Sequence, residues 1–473
     1  MTVGSLSKEN DTNALRPSQN EHLCRVREAD LRLRILIVGC GLGGMAAAHC
    51  LARAGHDIVI LESESVLEEE GAGLQVSPNA SRLLTRWGLA NKLAEVAVEP
   101  QGVAFRRYEN GELVGYARWG SVMRQMHGAP NYHVHRADLH KLLLDLISTS
   151  PRIKLRLDAR VVDMNPVPDP QVSVRLATGE TVIGDIIIGS DGVKSMVRSI
   201  VLGYPDRAEP TGDVAYRTVI PADWIRDDPE LKSLIETPEI TAWMGPKKHM
   251  IGYCIRAKGE YNMAMVHQEG FTEEPWSPET DPDKLRLTFA DFEPRVRKLL
   301  SHVTSTLRWR LTDHDPLERW IHPAGRVVLL GDACHPMLPY RAQGAAMAFE
   351  DAAVLGSLLS RLSSLAQLPR LLYAYESIRR PRATKTQLAS RMNQYIFHLP
   401  DGPEQEQRDS QMRSAMKFEL EQACLEKSPG LDQLNEGNAN QWADKQKNIE
   451  QFSYDADAAA DFWLAENGEI SYN

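Results

Sequence analysis

The chain has 473 residues, of which 42% are hydrophobic and 25% charged, a composition typical of a globular protein and unlike that of disordered, collagenous or disulfide-rich chains. Its net charge of −10 comes from residues 401–473, which hold 6 Lys and Arg against 16 Asp and Glu, whereas residues 1–400 hold 48 of each sign. The absence of a basic stripe argues against a nucleic-acid partner, and the absence of a run of about 20 apolar residues argues against a membrane span.

The N-terminal and cysteine patterns are those of a cytoplasmic protein. Residues 1–30 are polar and lack the apolar stretch of a secretory signal, so we predict a flexible N-terminal arm there. The six cysteines form no C-x-x-C pair and share no metal-ligand spacing: they are Cys24, Cys40, Cys50, Cys254, Cys334 and Cys424. We therefore expect no metal site, a reducing compartment and a cytoplasmic location.

The first strong pattern is a strand, a glycine loop and a helix. Arg34 to Val38 is a β-branched run, typical of a strand buried in a parallel sheet. The loop Gly39-Cys40-Gly41-Leu42-Gly43-Gly44 follows at once and fits G-x-G-x-x-G. Met45 to Ala54 continues it as an alanine-rich helix, and His56 to Leu61 is predicted to be the second strand.

These glycines and the acid that follows them predict a dinucleotide site. Gly39 makes the tight turn, Gly41 lets the backbone approach a pyrophosphate, and Gly44 permits close contact between helix and strand. The helix N-terminus adds amide donors and partial positive charge. Glu62 ends the second strand 18 residues after Gly44, where a carboxylate can accept hydrogen bonds from an adenosine ribose. This unit alone leaves FAD and NAD as alternatives.

Short alternating runs between residues 206 and 305 predict an antiparallel sheet. They are Asp213 to Ile220, Glu239 to Trp243, His249 to Ile255 and Asn262 to His267. Such a sheet would present one face to the dinucleotide domain. We expect residues 98–128 to contribute a second piece of this sheet.

A later segment places another carboxylate at a strand end. Arg326 to Leu330 is predicted to be a buried strand that stops on Gly331-Asp332. From Gly344 to about Leu362, alanines and other apolar residues recur at helical spacing. The N-terminus of this helix, which includes Ala345, is expected to offer backbone amides to a negatively charged flavin ring.

Three motifs make residues 33–395 resemble the class A flavoprotein aromatic hydroxylases, the group that contains salicylate and para-hydroxybenzoate hydroxylases. The motifs are the glycine loop of residues 39–44, the segment Gly189-Ser190-Asp191-Gly192-Val193-Lys194-Ser195-Met196-Val197-Arg198, and Gly331-Asp332. The resemblance implies an FAD-dependent monooxygenase that uses NAD(P)H and O₂ as co-substrates. It would insert one oxygen atom into a phenolic or other electron-rich aromatic small molecule through a flavin C4a-hydroperoxide, in secondary metabolism or aromatic catabolism.

The resemblance also implies roles for particular residues. Asp332 would bind the flavin-side ribitol or ribose, and Asp191 the pyrophosphates of FAD and NAD(P)H. Arg136, which opens a predicted helix, would contact the FAD phosphate or the chain beside the ring. Gly73 would lie in the loop that covers the flavin. Ser190 replaces the alanine of the family's Gly-Ala-Asp-Gly form, a small change that should not abolish binding.

On the substrate side we assign Arg217 and Tyr253. Related phenol oxygenases place an arginine that holds a substrate phenolate in the first strand of this sheet, and Tyr216-Arg217-Thr218 lies there. A ring reacts with an electrophilic oxygen best as a phenolate, which a guanidinium stabilises without accepting its proton. Tyr253 is a weaker candidate for a second hydrogen-bonding partner.

The expected architecture is an α/β fold: a Rossmann-type FAD-binding domain (GR2-like), an interleaved antiparallel-sheet substrate domain and a helical C-terminal extension. The predicted FAD-binding domain is discontinuous and comprises residues 31–97, 129–205 and 306–395. The predicted substrate domain comprises residues 98–128 and 206–305, and the acidic extension residues 396–473. The sequence leaves the oligomeric state open.

Two residue groups have structural interpretations, and other functions stay open. His335 is predicted to be a hydrogen-bonded structural histidine rather than a proton relay. The arginines of Tyr373 to Arg382 are predicted to form a solvated, salt-bridged helix face. Alternative activities are oxygenation of an indole alkaloid or a terpenoid alkene, in which Arg217 loses its purpose, an NAD-dependent dehydrogenase, and a flavin-binding module without catalysis.

Overall fold

A computed structural model of the chain describes residues 27–67, 71–206, 208–269, 279–424 and 438–468. The predicted N-terminal arm of residues 1–30 lies outside the described residues except for its last four. Among the described residues, no helix combines the length and the hydrophobicity that crossing a bilayer requires.

Among the described residues, strands and helices are interspersed as far as residue 329, and only helices follow. The strands are β1 Arg34–Val38, β2 Asp57–Leu61, β3 Gly73–Val76, β4 Gly102–Arg107, β5 Leu113–Arg118, β6 Tyr132–His135, β7 Ile153–Arg156, β8 Val161–Asn165, β9 Val172–Leu176, β10 Thr181–Gly184, β11 Ile186–Gly189, β12 Glu209–Pro221, β13 Ile240–Gly245, β14 Lys248–Ile255, β15 Glu260–Gln268, β16 Glu279–Thr280, β17 Thr306–Asp313 and β18 Val327–Leu329. The helices are α1 Leu42–Arg53, α2 Pro78–Arg86, α3 Ala90–Val96, α4 Ser121–His127, α5 Arg136–Ser148, α6 Met196–Leu202, α7 Asp223–Arg226, α8 Ser233–Glu236, α9 Pro282–Thr288, α10 Pro294–Ser301, α11 Gly344–Leu359, α12 Leu368–Phe397, α13 Pro403–Cys424, α14 Lys445–Phe452 and α15 Ala456–Glu466.

A parallel sheet of order β18-β11-β1-β2-β7 forms the centre of the dinucleotide region. Its three middle strands are almost wholly buried, as continuous β-branched runs predict. The first strand therefore lies between β2 and β11, and the strand that leads to Asp332 lies beside β11. All three motifs consequently emerge at the carboxyl edge of one sheet, where ligands of open α/β sheets bind.

The substrate sheet has the order β16-β17-β12-β15-β14-β13-β4-β5 and is antiparallel except for the parallel pair β4 and β13. The four predicted runs correspond to β12, β13, β14 and β15, and β4 and β5 are the expected second piece. One predicted boundary is wrong. Residues 306–313 form β17, which pairs with β12 in this sheet instead of belonging to the FAD-binding part that we placed from residue 306.

Helices cover the parallel sheet and carry the C-terminal region. The helix after the glycine loop, α1, packs against α11, and buried alanines on both allow the two backbones to approach closely. The helical C-terminal region returns to this body: α15 packs on α11 and α12, and buries Ala456, Ala460 and Leu464 in the same hydrophobic core. The Tyr454 ring lies 3.8 Å from the guanidinium of Arg382 on α12.

Candidate active site

A cavity of about 350 Å³ lies where the carboxyl edge of the parallel sheet meets one face of the substrate sheet. Its lining joins segments that are far apart in the sequence: the glycine loop, β3, the start of α5, Ser190 and Gly192, strands β12, β14, β15 and β17, and parts of residues 330–348. Seven predicted site residues line it: Gly41, Gly73, Arg136, Arg217, Tyr253, Asp332 and Ala345. Four others, Gly39, Gly44, Glu62 and Asp191, lie outside the lining.

The glycine loop has the backbone geometry that its residue types require. Gly39 has a φ of +101°, and a Cβ there would lie 2.5 Å from the carbonyl oxygen of Ser190. A Cβ on Gly44 would lie 2.2 Å from the Gly39 oxygen, so α1 can begin only if this residue has no side chain. A Cβ on Gly41 would meet no atom within 4 Å. Gly41 therefore faces open space at the start of α1, where backbone amides point outward.

Glu62 and Asp191 bind protein backbone. Glu62 Oε2 accepts a hydrogen bond of 2.7 Å from the amide of Cys40, so the carboxylate holds the glycine loop against the end of β2. Asp191 accepts hydrogen bonds from the amides of Met196 and Val197, at 2.8 and 3.1 Å, and from the Ser195 hydroxyl at 2.6 Å. Its carboxylate thus stabilises the start of α6. The assignment of both residues to a cofactor stays a prediction.

The Gly-Asp segment is held in place by an arginine that sequence reasoning left without a role. Arg198, which is 2% exposed, donates hydrogen bonds of 3.2 Å to the carbonyl oxygens of Asp332 and Ala333 and pairs with Asp206 at 2.7 Å. The Asp332 side chain faces the cavity. Enclosure raises the pKa of this carboxyl, against the opposing charges of His335, Arg136 and Arg198.

A buried cluster of charged side chains on α11 and α12 packs against the Gly-Asp segment. His335 Nε2 lies 2.6 Å from Asp351 on α11, so the hydrogen bond predicted for this histidine is present. Arg379 on α12 pairs with both Asp351 and Glu350, at 2.8 and 2.6 Å. Burial raises the pKa of Asp351, but His335 and Arg379 lower it more. The prediction of a solvated arginine face on α12 is therefore wrong for Arg379, which is fully buried, because α11 presents two carboxylates to it.

Ligand atoms of Cys334, His335 and Asp351 lie within 4.8 Å of one another. The carboxylate of Asp351 already binds the side chains of His335 and Arg379. Burial also raises the pKa of the Cys334 thiol well above its usual value, which disfavours the thiolate that a metal would need. The geometry therefore favours a packed structural cluster.

Gly73 lies in a strand, β3, rather than in the loop that we predicted, because β3 pairs with β6 across residues 73–76 and 132–135. Its amide donates a 2.7 Å hydrogen bond to the Asn262 side chain on β15. A Cβ at this position would lie 2.6 Å from the ring of Tyr253. Gly73 is thus the point at which the dinucleotide region docks onto the substrate sheet.

The substrate sheet forms one wall of the cavity, here called the sheet wall, and strand register determines which side chains lie beside one another on it. Arg217 on β12 lies opposite Ala264 on β15, which lies opposite Ile251 on β14. In the adjacent row, Trp309 lies opposite Ala215, then Val266, then His249. Because side chains alternate across a strand, residues 249, 251 and 253 of β14 share the face that carries Arg217.

Arg217 is a cation without a carboxylate partner. Its guanidinium lies over the Trp309 ring, 4.9 Å from the centroid, and makes no hydrogen bond or ion pair with any described residue. Burial lowers the pKa of Arg217; the neighbouring Tyr253 opposes this, and the charge of Arg136 adds to it. Guanidinium groups keep their charge at any physiological pH. The cavity therefore contains a fixed positive charge that is free to bind an anion.

Tyr253 and His249 complete this wall, and sequence reasoning missed His249. Burial raises the pKa of Tyr253 to about 12, although Arg217 lowers it. Burial, with the nearby His398, holds the pKa of His249 well below its usual value, so the imidazole is neutral near pH 7. The signal for His249 was its position four residues before Tyr253 on one predicted strand, which places the two residues on one face.

The residues around the cavity fit a bound FAD. Open space in front of Gly41 at the N-terminus of α1 suits a pyrophosphate. The N-terminus of α11, with Ala345 in the lining, presents a second positive helix end to the cavity. Asp332 and Arg136 supply one acceptor and one donor side chain between these two helix ends.

Three comparisons with known proteins agree with this geometry. Residues 32–390 match a family model described as FAD binding domain. The chain is 34% identical over 397 residues to the FAD-dependent monooxygenase OpS4 of Beauveria bassiana, covering 83% of this chain and 91% of that protein. It is also 34% identical over 389 residues to the 3-amino-4-hydroxybenzoate 2-monooxygenase PtmB3 of Streptomyces platensis, covering 82% and 94%. A salicylate hydroxylase substrate complex shares the fold, with a TM-score of 0.70, 23% identity, and 93% and 99% of the two chains covered.

Proposed function

The chain belongs to the FAD-binding-domain family and is an FAD-dependent monooxygenase, and from that premise we propose that it hydroxylates a phenolic or similarly electron-rich aromatic small molecule at the expense of NAD(P)H and O₂. The relative PtmB3 is named for a hydroxylated benzoate, a substrate of this class. The substrate would bind against the sheet wall that carries Arg217.

The observation that carries this proposal is the unpaired guanidinium of Arg217. A buried charge is costly unless an opposite charge or hydrogen-bond acceptors satisfy it. No described carboxylate does so here, and the Trp309 ring contributes only its π face. A phenolate bound beside Trp309 would satisfy the guanidinium and would stack its own ring in an apolar slot.

When bound, FAD supplies the redox chemistry and the activation of O₂. Gly41, Arg136, Asp332 and the amides at the start of α11 would hold it. Side chains of the protein would stabilise the substrate's charge and accept its proton. Arg217 holds the substrate oxygen as an anion, which raises the electron density of the ring, and His249 accepts the proton that this oxygen loses.

The rest of the sheet wall positions the ring and excludes water. Its apolar members are Ala215, Ile251, Ala264, Val266 and Trp309. The Tyr253 hydroxyl is protonated at neutral pH, since its pKa is raised to about 12, and can therefore donate a hydrogen bond. An apolar wall of this kind would limit the access of water to the reacting groups.

The test is substrate-stimulated oxidation of NADH and NADPH, with oxygen uptake, on a panel of hydroxybenzoates, simple phenols and indoles. We expect a hydroxybenzoate or a phenol to stimulate both signals. The Arg217→Ala variant should keep the flavin absorption spectrum and lose about 100-fold in kcat/KM on that compound, because an anion-stabilising donor is removed. Arg226→Ala, which removes an exposed arginine of α7, is the matched control and should be unchanged.

The outcomes separate the alternatives. Stimulation by indoles alone, with an unchanged rate in Arg217→Ala, would replace the phenol hydroxylase by the indole or alkene oxygenase. If flavin is bound but no compound stimulates the oxidation of NADH or NADPH, the result would favour a flavin-binding module without catalysis. Full phenol turnover by Arg217→Ala would remove Arg217 from its role.

A further inference from the structure

A chain of three polar side chains leads away from the cavity at His249. His249 Nδ1 lies 2.8 Å from Nε2 of His398, a residue that directly follows α12. His398 Nδ1 in turn lies 3.9 Å from a carboxylate oxygen of Asp213 on β12. The same carboxylate oxygen accepts hydrogen bonds from the Tyr340 hydroxyl and from Gln394. This group comes from three separate parts of the fold.

The order of the groups determines where the protons lie. The Asp213 carboxylate favours a proton on the facing Nδ1 of His398, which leaves Nε2 of that ring as an acceptor. His249 must then donate from its Nδ1, because one of the two facing nitrogens has to carry the hydrogen. The Nε2 of His249 is consequently an acceptor, and it has no hydrogen-bonding partner among the described residues.

His398 is the more exposed of the two histidines. His249 is 3% exposed and lines the cavity, whereas the His398 side chain is 10% exposed. The backbone fixes His398, whose carbonyl oxygen accepts a 3.0 Å hydrogen bond from the amide of Lys247 in the turn before β14. The Tyr340 ring packs against both imidazoles, at 5.4 and 5.7 Å between centroids.

Burial keeps both imidazole rings neutral near pH 7. Burial lowers the pKa of His398 to about 4; Asp213 opposes this effect and His267 on β15 adds to it. His249 is lowered by burial and by His398. The titratable groups that face His398 are Asp213, His249, His267 and Tyr340. A neutral imidazole carries a hydrogen on one ring nitrogen and none on the other. It can therefore accept a proton at one nitrogen while it releases a proton from the other.

We propose that Asp213 and His398 are positioning residues that hold His249 as a proton acceptor toward the substrate, and that His398 passes the substrate's proton to solvent. The inference rests on the proposed function. In the step, the O–H bond of the phenol breaks and a bond to Nε2 of His249 forms. The proton on Nδ1 of His249 moves to Nε2 of His398, and the Nδ1 proton of His398 leaves to water.

The experiment compares the holoenzyme with His398→Gln on 2-, 3- and 4-hydroxybenzoate and 3-amino-4-hydroxybenzoate between pH 6 and pH 10. Glutamine keeps a hydrogen-bonding side chain but cannot relay a proton. We expect kcat to fall about tenfold at pH 7 with little change in KM, and to recover as pH approaches about 10, where a free phenol ionises unaided. His302→Gln, a histidine to glutamine change remote from this cluster, is the matched control and should match the wild type.

A second variant, Asp213→Asn, removes the charge that orients His398 and keeps an acceptor for Tyr340. It should show the same loss at pH 7 and the same recovery at high pH. Turnover of a panel member with an unchanged pH profile in both variants would overturn the relay and leave the proposed function standing. If the wild type turns over no hydroxybenzoate or simple phenol, in this panel or in the wider screen that tests the proposed function, the proposed function is overturned and this inference with it.

Discussion

The wall of the cavity that contains the glycine loop is formed mainly by backbone groups, whereas the wall that the substrate sheet provides is formed by side chains. Gly41 and the start of α11 offer backbone amides at two helix ends, and Gly39 and Gly44 beside Gly41 leave no room for a side chain. The sheet wall offers Arg217, Tyr253 and His249 from two strands in fixed register. Substitutions should therefore disturb folding and cofactor binding on the first wall, and chemistry on the second.

The largest effect is expected at Gly44, on the backbone wall. In Gly44→Ala the new Cβ would lie 2.2 Å from the Gly39 oxygen, and neither backbone can move without breaking the turn. We expect a loss of more than about 4 kcal/mol in the free energy of unfolding, or no folded protein. Thermal and urea denaturation, with flavin absorbance, measure it.

Gly41→Ala is the matched control for Gly44→Ala. Its Cβ would meet no atom within 4 Å, so the apoprotein should keep its melting temperature. The same Cβ occupies the space predicted for a pyrophosphate, so the affinity for FAD should fall. Unchanged FAD affinity in this variant would contradict the assignment of the glycine loop to the pyrophosphate.

The next largest effect is expected on the side-chain wall at His249. His249→Gln removes a neutral base that lines the cavity, and we expect kcat on a phenol to fall about 100-fold while the flavin spectrum is retained. Met250→Leu, on the same strand but the opposite face, keeps the volume of the side chain and should retain turnover. Equal losses in the two variants would indicate a general distortion of β14 rather than a catalytic role.

The two walls also differ in how far the sequence predicts them. The glycine loop is one contiguous motif whose residue types follow from backbone geometry, so its turn, helix and strands could be predicted from the sequence. Arg217 and Tyr253, which a resemblance and strand alternation suggested, both line the cavity, and their roles stay predictions. Strand alternation could also have placed His249 on the face of Tyr253, but its contact with His398, which is 149 residues away, depends on the tertiary fold.

The errors have the same origin. Gly73 was placed in a loop and β17 in the wrong domain because both positions are decided by pairing with distant strands. Arg379 was predicted to be solvated because a basic helix face shows nothing of the two buried carboxylates on α11 that neutralise it. Local patterns thus predict elements, and long-range partners decide which face each element buries.

The stability of the fold should depend on pH through His133, which lies where β6 packs against the substrate sheet. His133 on β6 lies 4.4 Å from the Tyr253 ring, between centroids, and burial lowers its pKa to about 3. The unfolded state, with an ordinary pKa near 6.5, binds the proton first as pH falls, so stability is complete above about pH 6.5 and decreases below it. Each pH unit between these values should cost about 1.4 kcal/mol for this group.

His133→Phe tests this contribution, because a phenyl ring can pack on Tyr253 but cannot titrate. The free energy of unfolding should be measured between pH 7 and pH 4. Its slope against pH should be smaller in the variant by about the contribution of one proton, or about 1.4 kcal/mol per pH unit. An identical slope in variant and wild type would show that His133 is protonated in the folded state over this range.

The smallest effect is expected from a pair of hydroxyl deletions on the two faces of the sheet. Tyr253→Phe removes a hydroxyl from the cavity wall and should lower phenol turnover by less than about tenfold, since Arg217 and His249 remain. Tyr261→Phe, on β15, removes a buried hydroxyl that has no hydrogen-bonding partner among the described residues, and should leave turnover unchanged with equal or greater stability. Because both variants lose one tyrosine hydroxyl, a difference in turnover between them reflects only the face of the sheet from which the hydroxyl is removed. Equal turnover in both would mean that the Tyr253 hydroxyl does not contact the substrate.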